Sequence, residues 1–194
     1  MQWPDALRGP RALFLPAGAV MAVHLYFHFG PGWTFLAAVG FVWTLIALAA
    51  IDIERHLLPD RITLPLLWAG LAVNLQGNTF TTLENAVIGA MVGYLSLWLI
   101  YHAHRILTGR EGMGYGDFKM LAAIGAWLGW AMLPLVFLSA VVVHLVLVSV
   151  LTVSGKLERH TPVPFGPSLL IGAWLTLLWG KTLSFRLVIN LGGV

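Results

Sequence analysis

Two aspartates in this chain border long apolar runs. Asp52 ends the run 34–51, and Asp117 lies near the end of the stretch 110–119, which reads Arg-Glu-Gly-Met-Gly-Tyr-Gly-Asp-Phe-Lys. That stretch sets Gly112, Gly114 and Gly116 at alternate positions just ahead of the acid. A carboxylate at the mouth of a membrane helix is expensive to desolvate, and such groups are usually functional. The chemistry open to a facing pair is general acid–base catalysis. Two like charges at close range resist ionising together, so the pair shares one proton. The ionised member takes a proton from water, the water attacks a peptide carbonyl, and the protonated member donates to the carbonyl oxygen. This chemistry requires no metal, no other cofactor and no covalent intermediate.

The neighbours of each aspartate are plainer. Glu54 and Asp60 lie further into the polar loop after Asp52 and read as solvated acids balanced by Arg55 and Arg61. Pro59 keeps a helix from running through that loop. Around Asp117 the plain alternative is a flexible turn. The sharper reading uses the glycines for close backbone approach, to a substrate strand or between helices. Lys119 either stabilises a carboxylate or anchors its segment at the interface. Gly112, Gly114, Gly116 and Lys119 are therefore candidates for substrate binding or structural support. A phosphate loop would need a Gly-Lys-Ser/Thr ending that this stretch lacks.

Other chemistries find little purchase. The chain has no cysteine, which excludes disulfides, thiolate zinc sites and a cysteine nucleophile. Seven histidines are present, at 24, 28, 56, 102, 104, 144 and 160, but no His-Glu-x-x-His occurs. They read as interfacial or packed residues, and no metal is expected. A serine nucleophile lacks its Gly-x-Ser-x-Gly elbow. Nine tryptophans suit interfacial belts and helix packing, not nucleic-acid stacking.

The elements that must position the two acids are membrane helices. The chain has 194 residues, 59% hydrophobic and 10% charged, with mean hydropathy +0.85. A water-soluble fold could not hide that much apolar surface. We expect an all-α, polytopic transmembrane bundle in one integral-membrane domain over 1–194, with the lipid bilayer as its surroundings and no nucleic-acid partner. About seven segments can be drawn: 12–29, 33–51, 62–75, 86–107, 118–129, 131–153 and 165–180. The third and fifth are short for a hydrocarbon core of roughly 30 Å, and these two directly follow the aspartates. The tail 181–194 is weakly amphipathic and has no assigned place.

With the N-terminus in the cytoplasm, nine basic residues fall on the cytoplasmic side: Arg8, Arg11, Arg55, Arg61, Arg105, Arg110, Lys119, Lys156 and Arg159. Only Lys181 and Arg186 fall outside, which completes the eleven. That bias sets the orientation and puts both aspartates at the cytoplasmic face. The spacings Gly89/Gly93 and Gly125/Gly129 predict close helix packing.

Three blocks together resemble the type IV prepilin peptidase family, membrane aspartyl proteases of the Gly-x-Gly-Asp type. They are the block 51–65 with Asp52 and Leu57-Leu58-Pro59-Asp60, the block 112–119 with Asp117, and Pro164-Phe165-Gly166-Pro167. The resemblance implies that Asp52 and Asp117 are the catalytic pair. It implies cleavage of prepilins or pseudopilins after a glycine ending a short basic leader, at the cytoplasmic face of a bacterial inner membrane. Larger members carry an N-terminal cytoplasmic domain, often with Cys-x-x-Cys motifs, linked to N-methylation. This sequence has no cysteine and no room for that domain before Ala12, so methyl transfer is expected to be absent. The competing readings are an ion- or proton-coupled transporter using the same aspartates and a non-catalytic scaffold. Coupling sites usually lie near the midplane, and a scaffold leaves the glycine–aspartate block unexplained.

Overall fold

A computed structural model describes residues 11–77, 79–109, 113–155, 157 and 163–192. Seven α-helices run through them: α1 Arg11–Phe29, α2 Trp33–Arg55, α3 Asp60–Leu75, α4 Leu83–Thr108, α5 Tyr115–Leu128, α6 Leu133–Val153 and α7 Gly166–Gly192. The seven expected segments are all present. A single 3-10 turn, Trp130–Met132, joins α5 to α6. Among the described residues, three helical stretches are long and apolar enough to cross a membrane: α2, α4, and the 3-10 turn continued by α6. With the shorter apolar helices packed among them, the chain is a multi-pass membrane helix bundle.

Local chemistry sets the helix ends. His56 takes the left-handed conformation, φ 52°, and its N–H closes α2 on the Asp52 carbonyl at 2.9 Å. Pro59 is the N-cap of α3 and leaves Asp60 in the first turn, where a carboxylate suits the positive end of a helix. Thr82 caps α4 through its hydroxyl oxygen, which accepts the Asn85 N–H at 3.2 Å. Gly109 ends the same helix at φ 69°. The last helix runs beyond the expected stop at 180, and its backbone continues helical to Gly192.

The short fifth helix is the centre of the bundle. Every residue of α5 from Asp117 to Leu128 is buried except Lys119. At about 1.5 Å per residue it is too short to cross a hydrocarbon core. It does not need to, because α3 and α4 enclose it and α6 and α7 touch it. On the α4 side, Gly89 meets Gly125 backbone to backbone, and a Cβ on Gly93 would lie 2.7 Å from the Leu121 carbonyl oxygen. Contacts this close supply the dispersion attraction that holds membrane helices together, where lipid removes the usual hydrophobic drive. The fourth glycine of these spacings has another role: Gly129 ends α5 at φ 85°, a backbone conformation that L side chains rarely adopt.

The far end of α5 is tied by a buried amide. Asn74 donates through Nδ2 to the carbonyls of Ala126 and Trp127 at 3.0 Å each. Its Oδ1 accepts the N–H groups of Phe80 and Thr81 at 3.0 and 3.2 Å. One side chain thus satisfies two orphan carbonyls of a helix terminus and two loop amides. Trp127 donates its indole N–H to Leu66 at 2.8 Å and stacks on Phe41 with ring centres 4.7 Å apart. This end of α5 is therefore fixed to both α2 and α3. The opposite end, where Asp117 sits, faces a cleft.

Candidate active site

Asp52 belongs to the last turn of α2 and is only 6% exposed. Its Oδ2 accepts the backbone N–H of Gly166 at 2.9 Å in a buried hydrogen bond. Gly166 is the first residue of α7, so its N–H has no partner within its own helix. Helix N-termini are ready-made carboxylate sites, because free N–H groups and the helix dipole point the same way. Glycine permits this approach: a Cβ at 166 would stand 2.6 Å from Oδ2 and 3.2 Å from the Asp52 Cβ, so a larger residue would force the carboxylate or the helix to shift. In the sequence Gly166 stands within the block Pro164-Phe165-Gly166-Pro167, with no role of its own. The signal that could have found it is glycine followed by proline at a helix start.

Asp117 is the third residue of α5 and 8% exposed. Its backbone N–H donates to the Gly114 carbonyl at 3.2 Å, which closes the first turn of α5. The start of α5 is also pinned laterally. Tyr115 and Phe118 meet Tyr101 of α4 with ring centres 5.2 and 5.7 Å apart.

The glycine block divides in the structure. At Gly116 a Cβ would lie 2.8 Å from the Cβ of Leu58, so this glycine lets the α2–α3 connection pack onto the first turn of α5. Gly114 stands in extended backbone, φ −82°, and the nearest atom to an added Cβ is the Asp117 Oδ2 at 3.8 Å. Neither glycine sits at positive φ; Gly116 makes the close approach that the glycines were expected to allow. Gly112 lies outside the described residues. Lys119 reaches neither buried aspartate through a short bond. Its Nζ donates to Asp60 Oδ1 at 2.6 Å, which ties α5 to the start of α3.

The end of α2 with the α2–α3 connection, the start of α5 and residues 163–165 ahead of α7 meet at one end of the bundle. There Asp52 and Asp117 line a single cleft of about 1160 Å³. The α2–α3 connection, the start of α5, residues 163–165, and Phe137, Val141 and His144 of α6 form its walls. Two nearly buried carboxylates that line one cleft can hold one proton between them and act on a molecule admitted to it.

The histidines scatter. His24 packs edge-on against Trp174 and Trp179, with ring centres 5.5 and 5.3 Å away. The Nδ1 of His102 is 2.9 Å from the Trp98 carbonyl oxygen of its own helix. His144 is different, because it lines the cleft. The sequence reading passed over it, although it is the one titratable residue in the run 131–153.

Fold and site together define a class: a polytopic helical membrane protein with a pair of buried aspartates in a cleft at one end. Comparison with known proteins narrows this. The model of the type IV leader peptidase family matches residues 39–149, a stretch that contains both aspartates. The chain is 48% identical over 183 residues to the prepilin leader peptidase/N-methyltransferase of Aeromonas hydrophila, covering 94% of this chain and 62% of that protein. It is 44% identical over 168 residues to the protein of the same name from Pseudomonas aeruginosa, covering 87% and 58%. With that of Burkholderia pseudomallei (strain K96243) the identity is 51% over 166 residues, covering 86% and 53%. No solved structure matches. The chain belongs to the type IV leader peptidase family. It spans between about half and three fifths of the length of these curated relatives.

Proposed function

We propose that this chain is a membrane aspartyl endopeptidase that removes the leader peptide of type IV prepilins or pseudopilins, with Asp52 and Asp117 as its catalytic pair. The observation that carries this reading is the shared cleft: two carboxylates, each under a tenth exposed, on different helices, within one cavity large enough for an extended peptide. Because Asp52 Oδ2 is engaged by Gly166, its Oδ1 is the oxygen available for proton exchange. The ionised partner takes a proton from water as that water adds to the scissile carbonyl carbon. The protonated partner donates to the carbonyl oxygen. On collapse the C–N bond breaks, one carboxyl gives its proton to the departing amine while the other carboxylate takes the hydroxyl proton of the tetrahedral intermediate, and the dyad regains its single shared proton. Gly114 and the exposed Tyr115 stand at the mouth, where an extended substrate backbone would pass.

The family model describes a leader peptidase, and the residues it matches include both aspartates. We therefore assign the chain the peptidase activity in its relatives' names and do not assign it methyl transfer. The family match lends no support to a transporter. We place the protein in a bacterial inner membrane with the N-terminus and the cleft on the cytoplasmic side. The charge bias supports this, because Arg55, Arg61 and Arg105 share the cleft end of the bundle.

The test is cleavage of a synthetic pilin leader peptide by the purified chain in detergent, read by mass spectrometry. Asp52→Asn and Asp117→Asn keep shape and remove proton exchange. Each alone is expected to abolish cleavage while melting and helical circular dichroism stay at parental values. A parental rate in either variant overturns the dyad. Orientation is read in the same chain, which has no cysteine of its own. Arg105→Cys is expected to resist an impermeant thiol reagent in spheroplasts and Gln76→Cys to react; the reverse pattern puts the cleft on the wrong side.

A further inference from the structure

The turn that brings Gly166 to Asp52 is itself held from α6. The Nδ1 of His144 lies 3.3 Å from the Oγ of Ser168. The same ring meets Phe165 edge-on, with ring centres 5.3 Å apart, and Phe165 rests on Phe137 one and a half to two turns earlier in α6. Ser168 is fully buried. The N–H groups of Ser168 and Leu169 both donate to the Phe165 carbonyl at 3.0 Å. Gly166 sits inside this bracket.

A glycine has no side chain with which to anchor itself, and the first N–H of a helix has no intrahelical acceptor to aim it. The direction of the Gly166 N–H is therefore set by what holds residues 165 and 168. The buried residues of α6, Leu133, Val136 and Ala140, lie in its first half, and His144 follows Ala140 by one turn on the same face. The other side-chain hydrogen bonds of α6, from Ser139 and Thr152, return to its own backbone. The contact from His144 to Ser168 is what joins the second half of α6, by a directional bond, to the turn beneath Asp52.

We propose that His144 is a positioning residue for Asp52: by holding Ser168 and Phe165 it keeps the Gly166 amide aimed at the carboxylate. This rests on the reading of Asp52 as catalytic. His144 acts through Ser168 and Gly166 and needs no contact with substrate or with the attacking water.

Leader-peptide cleavage by the full chain separates this role from simple packing. His144→Phe keeps an aromatic ring against Phe165 and removes Nδ1. His144→Asn places a polar atom near the position of Nδ1 and removes the ring. Ser168→Ala removes the partner. His144→Phe and Ser168→Ala are each expected to lower kcat about tenfold, the scale of one lost hydrogen bond, with KM within about twofold of the parent. The double variant is expected to be no slower than the worse single, because both changes cut one link. His144→Asn is expected to recover part of the kcat lost in His144→Phe. Parental kcat in His144→Phe, additive losses in the double variant, or a fall in melting temperature that tracks kcat without rescue by Asn would each overturn the proposal. Asp52→Asn is run alongside. If it is inactive while His144→Phe is unimpaired, the positioning role alone fails; if it cleaves at the parental rate, the dyad reading fails and takes this proposal with it.

Discussion

Asp52 and Asp117 reach the same cleft by different routes. Asp117 is held by its own neighbourhood: its backbone N–H donates to the Gly114 carbonyl three residues back, and Tyr115, in the same helical turn, packs on Tyr101 of α4. Asp52 is held from far along the chain, by an amide 114 residues away at the start of α7. A local bond of this kind forms whenever its helix forms. A long-range bond exists only once α7 has docked beside α2. The two carboxylates therefore differ in what can disturb them: sequence changes near Asp117 act through the first turn of α5, whereas Asp52 answers to the packing of α6 and α7.

The sharpest way to break this contrast is Gly166→Ala. The new methyl would meet Oδ2 at 2.6 Å, so carboxylate or helix must move. A displacement on that scale is expected to cost about a hundredfold in kcat. Alanine is the better helix former, so propensity predicts no loss of stability. Measured together, a fall in turnover far larger than any change in melting temperature supports the long-range cradle. Unchanged turnover would show that the Gly166 contact is dispensable.

A smaller effect is expected at the junction of the two regions. Gly116→Ala drives a methyl into Leu58 of the α2–α3 connection. Overpacking of this kind costs about 1–3 kcal/mol, and turnover is expected to fall about tenfold as the first turn of α5 shifts. Leu58→Gly in the same chain removes the Cβ that this methyl meets, together with the rest of the side chain. Recovery of turnover in the double variant would assign Gly116 to packing; no recovery would return it to substrate contact.

The smallest effect belongs to Gly114→Ala. The site is open, the backbone is extended and the Gly114 carbonyl that accepts the Asp117 N–H remains. A modest N-cap penalty is all that is expected, a change of less than about threefold in kcat. A large loss would mean that substrate backbone passes within van der Waals distance of residue 114, and would restore the close-approach role that the alternating glycines first suggested. The ion pair between Lys119 and Asp60 belongs with these local effects. With its side chains 31% and 54% exposed, it steadies the rim of the cleft without deciding the fold.

The membrane class, the seven helices with their approximate limits apart from the end of α7, and the choice of Asp52 and Asp117 as candidates were all legible in the sequence. These are properties of contiguous chain: apolar run length, the glycine and proline stops, and the rarity of acids beside such runs. It also carried the spacing by which Gly89, Gly93 and Gly125 pack α4 on α5, since helical period converts sequence interval into a face. Only the tertiary structure decided which partner each polar group meets. Lys119 meets Asp60, Asn74 meets the end of α5, His144 meets Ser168, and Gly166 meets Asp52. The partners of these four lie 24 to 114 residues away in the chain. The physical reason is that a hydrogen bond depends on distances of tenths of an ångström between groups that the fold alone brings together, and residue type at one position does not say what will arrive opposite it.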